Sequence, residues 1–357
     1  MPFISRYGGE HEKALTKCSA SGAAFSKTCP LPFGRHRAFP QITPSPFRHR
    51  FHSFHGHNAV LPPLTSPLPV FLRLSSFLLL FFSVALSSIP LRAEVERDLE
   101  YGVVNGLSLK LNLFRPEGKQ AGLVVYVHGG AWRAGQKEDC PILSLVSAGY
   151  AVASVDYRLT PQAPFPANVH DIKGAIRFLR AEGPRLGIES SRMAIIGSSA
   201  GGHLAALVGV SSGVAALEGD VGGRANVSSS VQAIVSFFGA SNLDTILSQS
   251  TEYGLRVREP ALQLLLGGLP VEKPALSRLA SPVVHLDPKD PPILLIHGDA
   301  DPQMPLQQSE EFERACTVAG VNATLHTLAG ARHGGAEFYD ETRMQWVRAF
   351  LQKHLGP

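Results

Sequence analysis

The sequence predicts an α/β domain with a mostly parallel sheet that is covered by helices on both faces. From about residue 96 onward, short apolar runs alternate with amphipathic stretches, which is typical of parallel strands joined by helical crossovers. Most of the apolar runs are continuous rather than alternating, as expected for strands buried on both faces. Residues 94–357 are enough for one such domain, since α/β units of about 250 residues often stand alone.

The apolar runs place the strands in chain order. The first run, Leu107–Phe114, alternates apolar with polar residues and predicts a strand with one buried face. The later runs are continuous and predict fully buried strands. These strands are predicted at Leu123–Val127, Tyr150–Val155, Met193–Ile196, Val231–Phe238 and Pro292–Ile296.

Helices are predicted between these strands. Within Val169–Glu182, residues Ile172, Ala175, Ile176 and Leu179 fall on one helical face, because apolar residues three and four positions apart share a face. Strand and helix thus alternate along the domain, as in an α/β fold. The other predicted helices are Ala200–Val210, Pro305–Ala319 and Glu337–Leu355.

Two breaks rich in Pro, Gly and Ser interrupt the alternation, at residues 211–230 and 241–291. The second contains Thr251–Leu266, which predicts one or two helices above the sheet. Residues 241–288 are therefore either a cap over an active site or an ordinary surface excursion. The sequence leaves both interpretations open.

The charge balance excludes an extended polyelectrolyte and argues against a nucleic-acid partner. Charged residues make up only 17% of the chain and hydrophobic residues 44%, unlike a disordered polyelectrolyte. Residues 1–93 carry 10 Lys and Arg against 2 Asp and Glu, whereas residues 94–357 carry 23 against 27. The formal net charge of +4 therefore comes from the N-terminal stretch, and no nucleic-acid partner is expected.

The N-terminal stretch is predicted to lie outside the folded domain. Residues 1–67 have no helical or strand periodicity and predict a leader that is disordered or wrongly included in the chain. Residues 68–93 hold Leu74–Leu91, eighteen uncharged residues between Arg73 and Arg92, which predicts a secretory signal peptide. We therefore expect a secreted or periplasmic protein. If the segment at 74–91 is not cleaved, it is just long enough to anchor the chain in a membrane.

The cysteines predict neither a disulfide scaffold nor a metal centre. Four cysteines are too few for such a scaffold, and Cys140 and Cys316 are expected to be buried free thiols rather than a disulfide. No CxxC or Cys/His ligand spacing occurs in the sequence, so no structural zinc is expected.

The strongest chemical signal is Gly197-Ser198-Ser199-Ala200-Gly201. It directly follows a predicted strand and directly precedes an apolar helix, which is the context of a nucleophile elbow. The turn of such an elbow is tight, so the residues two before and two after the serine must be small, and both are Gly. Ser199 is therefore the candidate nucleophile.

A serine hydroxyl needs a base, and the base needs a carboxylate that holds its tautomer. His333 lies in the glycine-rich stretch 329–335, before the last predicted helix, and is the candidate base. Asp299 and Asp301 both follow the strand at 292–296, and the spacing does not distinguish them. Either one gives the chain order Ser, Asp, His of α/β-hydrolases, which differs from that of chymotrypsin or subtilisin.

A fourth signal is His128-Gly129-Gly130-Ala131-Trp132, which follows a predicted strand. Because glycines carry no side chain, the amides of Gly129 and Gly130 can face a developing oxyanion, and the Ala200 N–H is expected to complete the hole. His128 is expected to orient this loop rather than to act as a base.

Together these motifs resemble the esterase/lipase superfamily of α/β-hydrolases from about residue 100 to 355. The chain is similar to bacterial acetyl-xylan and feruloyl esterase-like enzymes, near the hormone-sensitive-lipase group. The resemblance implies the α/β-hydrolase fold, with Asp301 rather than Asp299 as the triad carboxylate. Besides the motifs above, it rests on Asp156-Tyr157-Arg158-Leu159, Phe165-Pro166-Ala167 and residues 290–302.

The resemblance implies a serine carboxylesterase that hydrolyses short-chain or aromatic acyl esters without a metal or organic cofactor. Its expected substrate is a small-molecule ester or an acylated polysaccharide. Ala131 replaces the third glycine usual in hormone-sensitive-lipase relatives, and Ser198 replaces an acidic residue.

The first replacement favours the acetyl-xylan/feruloyl side. The HGG-x-W pattern also occurs in kynurenine-formamidase-like enzymes, so an arylformamidase, or a peptidase on the same triad, is the alternative. Ser199, Asp301 and His333 are all present, which argues against a non-catalytic binding protein of this fold.

Overall fold

The computed structural model describes residues 94–160 and 162–356. The leader predicted at 1–67 and the signal peptide or anchor predicted at 68–93 lie outside these residues. Within the described part of the chain, no helix is both long and apolar enough to cross a membrane.

A single sheet of eight strands runs through the described residues, in the order β1-β2-β4-β3-β5-β6-β7-β8. β2 pairs antiparallel with β1 and with β4, and every other pair is parallel. The predicted α/β class with a mostly parallel sheet is thereby confirmed. The strands are Glu94–Val104 (β1), Leu107–Arg115 (β2), Gly122–Val127 (β3), Tyr150–Val155 (β4), Met193–Ser198 (β5), Ala233–Phe237 (β6), Ile293–Gly298 (β7) and Ala323–Leu328 (β8).

Helices connect the strands and cover both faces of the sheet. Three short 3₁₀ helices lie at Val221–Gly223, Pro282–Val284 and Ala336–Phe338. The α-helices are Ser144–Ser147 (α1), Ala167–Leu186 (α2), Ala200–Val210 (α3), Ala215–Glu218 (α4), Ile246–Gln249 (α5), Glu252–Leu266 (α6), Pro274–Leu279 (α7), Gln307–Ala319 (α8) and Glu341–Leu355 (α9).

The central strands are mainly apolar because each of their faces meets its own core. On β3, Leu123, Val125 and Val127 belong to the cluster that includes α2 and α3. Val124 and Tyr126 belong to the cluster that includes α1 and α9. Successive side chains of a strand point to opposite faces, so a strand between two helical layers has few positions for a polar side chain.

The last helix begins later than its apolar pattern predicts, at Glu341 instead of Glu337. Asp340 is its N-cap, and its carboxylate accepts a hydrogen bond from the Arg343 N–H at 2.9 Å. Such a cap satisfies an amide that has no partner inside the helix. Residues 336–338 form a separate 3₁₀ turn, which leaves the preceding loop free to reach the sheet edge.

The carboxyl ends of parallel strands meet at one edge of the sheet, where ligands bind in open α/β folds. The glycine-rich loop at 128–132 follows β3, the serine turn follows β5, and the loops with Asp301 and His333 follow β7 and β8. Topology alone therefore brings the four sequence motifs to the same edge.

Candidate active site

Ser199 stands at the turn between β5 and α3 in a conformation that few side chains adopt. Its backbone has φ 55° and ψ −119°, outside the regions that non-glycine residues prefer. The Ser199 N–H donates to the carbonyl of Phe237 at 2.9 Å, which fixes the turn to β6. Strain of this kind is retained where the surrounding structure over-determines it, typically at functional sites.

The glycines on either side make this turn possible. A Cβ on Gly197 would lie 2.1 Å from the carbonyl oxygen of Gly201, and a Cβ on Gly201 would lie 2.1 Å from that of Val127. Neither position can accept a side chain without movement of the backbone. The sequence expectation that both residues must be small is therefore explained by backbone contacts.

His333 contacts both partners that the sequence assigns to it. Its Nε2 lies 2.8 Å from Ser199 Oγ, and its Nδ1 lies 2.6 Å from Asp301 Oδ2. A carboxylate can only accept, so Nδ1 carries the proton and the lone pair of Nε2 faces the serine hydroxyl. Phe238 packs edge-on against the imidazole, with the ring centroids 4.9 Å apart. The arrangement can take the hydroxyl proton from Ser199.

The two aspartates that the spacing could not separate have different surroundings. Asp301 has a fully buried side chain that contacts His333. Asp299 is exposed, and its Oδ1 accepts the Gly330 N–H at 2.6 Å. Asp299 therefore holds the turn that carries the histidine loop, and Asp301 is the carboxylate that the structure joins to the imidazole.

Asp301 stays ionised although its side chain is buried. Burial by itself raises the pKa of a carboxyl, but hydrogen bonds from His297 and His333 outweigh it and hold the pKa of Asp301 well below its ordinary value. Its other oxygen accepts the N–H groups of Gln303 and Met304 at 2.8 and 2.9 Å. These donors fix the direction of the carboxylate as well as its charge.

His297 is a partner of this carboxylate that the sequence did not single out for that role. Its Nε2 lies 3.0 Å from the carbonyl of Met304 and 3.4 Å from Asp301 Oδ2, and its Nδ1 lies 2.7 Å from Ser309 Oγ. Because a carbonyl only accepts, the proton sits on Nε2 and Nδ1 accepts from the serine. The same N–H therefore also faces Asp301.

The three predicted oxyanion donors lie around the nucleophile. A Cβ on Gly129 would lie 3.3 Å from Ser199 Cβ, and Gly130 has φ +111°, so the loop backbone passes close to the serine. Ala200 opens helix α3, whose first amides have no intrahelical acceptor. Among the described residues no acceptor is recorded for the Gly129 and Gly130 N–H groups. Their role as an oxyanion hole stays a prediction.

Buried rings hold the loop after β3 in place. His128 stacks on Tyr157 with centroids 4.4 Å apart, and the Tyr157 hydroxyl donates to the His128 carbonyl at 3.0 Å. Trp132 Nε1 donates to His203 Nδ1 at 3.0 Å, and the second nitrogen of His203 donates to the Ala280 carbonyl at 2.7 Å. Burial lowers the pKa of His203 to about 4, so the ring is neutral and links the loop, helix α3 and the 241–288 segment.

A cavity of about 450 Å³ opens at Ser199 and His333. Helix α6, from the segment predicted as a cap or a surface excursion, contributes Val257 and Arg258 to its lining. Sequence reasoning did not identify Arg258, since a single arginine in an amphipathic helix carries no motif. The remaining lining residues are Gly129, Gly130, Ala131, Arg133, Ala134, Ser198, Phe238 and Gln303.

Cys140 and Cys316 are both free thiols, which confirms the preference over a disulfide, but only Cys316 is buried and Cys140 is half-buried. Burial raises the pKa of each thiol to about 12. Neither residue is therefore an activated nucleophile that could compete with Ser199.

Comparison with known proteins gives consistent results. A family model described as BD-FAE matches residues 111–316. The esterase LipQ of Mycobacterium tuberculosis is 28% identical over 267 residues, which cover 72% of this chain and 61% of LipQ. The chain spans about half to three fifths of the length of the first curated relatives that it matches.

Solved structures with the same fold cover a similar part of the chain. A truncated carbohydrate esterase from gut microbiota has a TM-score of 0.66 and 28% identity over 74% of this chain and 97% of its own. An acetyl ester-xyloside bifunctional hydrolase from Caldicellulosiruptor lactoaceticus has a TM-score of 0.58 and 28% identity over 70% and 88%. The α/β-hydrolase fold implied by the motifs is confirmed.

Proposed function

This chain belongs to the BD-FAE family, whose model matches more than half of it, and on that premise we propose that it hydrolyses carboxylic esters with Ser199 as the nucleophile. The observation that carries the proposal is the continuous hydrogen-bonded series from Ser199 Oγ through His333 to Asp301, with distances of 2.8 and 2.6 Å, at the mouth of a cavity. The names of LipQ and of the structural neighbours support the same reaction class.

In the proposed mechanism Ser199 Oγ attacks the ester carbonyl while His333 Nε2 accepts its proton. Asp301 stabilises the imidazolium that forms and keeps Nδ1 protonated. The negative charge on the carbonyl oxygen is stabilised by the amides of Gly129, Gly130 and Ala200. Each such donor contributes about 3–4 kcal/mol of transition-state stabilisation.

The second half of the reaction uses the same groups in reverse. The imidazolium protonates the departing alcohol oxygen, which leaves an acyl group on Ser199. A water molecule then loses its proton to His333 and attacks the acyl carbonyl, which regenerates the free serine. Every step is a proton or acyl transfer that these side chains can perform.

The proposed substrates are short-chain or aromatic acyl esters, either as small molecules or as acyl groups on a polysaccharide. Two of the solved relatives are described as a carbohydrate esterase and as an acetyl ester-xyloside hydrolase. A cavity of about 450 Å³ suits an acetyl or cinnamoyl-sized group.

We further propose export through the segment at 68–93, which N-terminal sequencing of the mature protein would test by the residue at which it begins.

The test is the Ser199→Ala variant, with Ser198→Ala as its matched control. Ser198 loses the same atom one residue away, but its hydroxyl contacts Tyr339 at 2.6 Å rather than His333. With para-nitrophenyl acetate, butyrate, octanoate and a feruloyl ester, we expect Ser199→Ala to lose on the order of 10⁶-fold in kcat. Ser198→Ala is expected to stay within about tenfold.

Equal loss in both serine variants would show that the nucleophile is misassigned. A folded wild-type chain that hydrolyses none of the esters would favour the formamidase, peptidase or binding alternatives. An N-formyl aniline and a chromogenic peptide in the same assay separate the first two.

A further inference from the structure

Arg258 on helix α6 is a buried cation that makes no hydrogen bond to a carboxylate of the described residues. Arg258 is 1% exposed, and its Nε donates to the carbonyl of Gln303 at 3.1 Å. Its Nη1 is buried and has no hydrogen-bond partner among the described residues. Asp301 lies near enough to interact with the guanidinium electrostatically, but its oxygens are already occupied by His333, Gln303 and Met304.

This arrangement is unusual for a charged side chain. A buried charge is destabilising unless it is paired and its donors are satisfied. Burial lowers the pKa of Arg258 only to about 10, so the guanidinium is charged at neutral pH. Of its donors, the Nε bond to a carbonyl is the only one recorded within residues 94–160 and 162–356. Nη1 is thus a charged donor without an acceptor among the described residues, on a side chain that lines the cavity.

The cavity that Arg258 lines has a one-sided charge. Arg133, from the loop after β3, is the second cation in its lining, and its side chain is exposed. The described residues that line the cavity include no carboxylate. Ser199 and His333 lie in the same lining, so a group bound at Arg258 would be part of a molecule that also reaches the nucleophile.

We propose that Arg258 is a substrate-binding residue that accepts a carboxylate carried by the ester. The proposal rests on the function proposed above and adds the chemical class of substrate. A planar guanidinium with a free edge suits a carboxylate, which it can bind through two parallel N–H···O bonds. The carboxylate can stand on the acyl part, as in a half-ester of a dicarboxylic acid, or on the alcohol part, as in a uronic or aromatic acid.

The proposal explains why an arginine stands at this position of an otherwise amphipathic helix. Thr251 caps α6, and its hydroxyl donates to the Pro302 carbonyl at 2.9 Å, so the helix is already tied to the Asp301 loop without Arg258. One bond from Arg258 to Gln303 adds to that connection. It does not need a guanidinium, because a neutral donor of similar length would make it.

The test compares anionic with neutral esters on the full chain. The acyl pair is mono-para-nitrophenyl glutarate and para-nitrophenyl pentanoate. The alcohol pair is 3-carboxyphenyl acetate and 3-methylphenyl acetate. The readout is the ratio of kcat/KM for the anionic ester to that for the neutral ester within each pair, since a purely structural role would change both values together.

Three variants are measured beside the wild type. Arg258→Met removes the charge, Arg258→Lys keeps a charge without the planar edge, and Arg256→Met is the matched control. Arg256 lies on the same helix, has a 75% exposed side chain and pairs with Glu252. Thermal unfolding of each variant shows whether it is folded, and Arg258→Gln replaces Arg258→Met if that variant does not fold.

In at least one pair we expect Arg258→Met to lower the ratio at least about tenfold, as for a lost hydrogen bond to a charged group. Arg258→Lys should lie between Arg258→Met and the wild type, and Arg256→Met should leave the ratio within about twofold. The difference between the wild-type ratio and that of Arg258→Met should change little as the salt concentration rises, because a buried charge pair is screened much less than exposed charges.

Several results would overturn the proposal. One is that the wild type and Arg258→Met have equal ratios of anionic to neutral kcat/KM in both ester pairs. Another is that Arg256→Met lowers these ratios as much as Arg258→Met does. A wild type that disfavours both anionic esters by tenfold or more overturns it without any variant. Hydrolysis of the neutral esters alone refutes this inference and leaves the esterase function intact, whereas hydrolysis of no ester at all refutes the function itself.

Discussion

Replacement of Asp301 by Asn removes one charge and leaves the shape of the side chain unchanged. Oδ1 of Asp301 accepts two backbone N–H groups, from Gln303 and Met304. The carbonyl oxygen of an asparagine must occupy that position, because its amino group would place donor against donor. The amino group then faces His333 Nδ1, where Oδ2 stands 2.6 Å away in the wild type.

The consequence for His333 follows from its two neighbours. An amino group donates, so Nδ1 must become the acceptor and the ring proton moves to Nε2. Nε2 lies 2.8 Å from Ser199 Oγ, and a protonated Nε2 has no lone pair for the hydroxyl proton. We therefore expect kcat to fall on the order of 10⁴-fold, or about 5 kcal/mol of activation free energy.

The assay is the hydrolysis of para-nitrophenyl acetate by Asp301→Asn, with Asp299→Asn as the control. Asp299 undergoes the same chemical change two residues away, and an asparagine there can still accept the Gly330 N–H. Its kcat should stay within about tenfold of the wild type. If folded Asp301→Asn keeps more than a tenth of the activity, or if Asp299→Asn loses as much, the tautomer argument is wrong.

Three further predictions concern the surroundings of the site. A Cβ on Gly130, which has φ +111°, would lie 2.0 Å from the Ala134 carbonyl oxygen. Gly130→Ala should therefore displace the loop after β3 and, if Gly130 is an oxyanion donor as proposed, lower kcat by about 10²–10³-fold. A variant within tenfold of the wild type contradicts this. Because the pKa of His203 is lowered by burial to about 4, the unfolded chain takes up the proton first as pH falls. His203 should thus lower the free energy of unfolding progressively from pH 6.5 down to about 4, by up to about 3 kcal/mol. Urea unfolding at pH 7 and 4.5 should therefore show a larger loss of stability in the wild type than in His203→Gln. Equal losses in the two proteins would refute this prediction. Burial raises the pKa of Cys140 and Cys316 to about 12, so neither thiol should react rapidly with a disulfide reagent at pH 8 until urea unfolds the chain. Peptide mass analysis of the labelled protein measures this. Rapid labelling of either thiol in the native protein contradicts the prediction.

The central strands were predictable because burial on both faces restricts the residue type at nearly every position. A strand buried on both faces is mainly apolar, and β3, β4 and β5 fit that pattern except at Ser154 and Ser198. The edge strand β1 was not predicted, since most of its residues are exposed or half-buried and it contains Glu94, Glu96 and Glu100. Edge strand β8 is similarly exposed. The edge strands keep too few buried positions to show a pattern.

The sequence by itself determined the parts of the site whose chemistry is local. A serine on a tight turn needs small neighbours within two residues, and the backbone contacts of Gly197 and Gly201 show why. The glycine-rich loops around Gly129 and His333 carry the same kind of local requirement. These residues could be identified because each is constrained by the turn in which it lies.

Only the tertiary structure decided which side chains meet. Asp299 and Asp301 are two residues apart in one loop, and they differ in the direction in which their carboxylates point, toward Gly330 or toward His333. Arg258 reaches the cavity of Ser199 from a helix more than fifty residues further along the chain. Such contacts depend on how distant elements pack, and no short stretch of sequence records that packing.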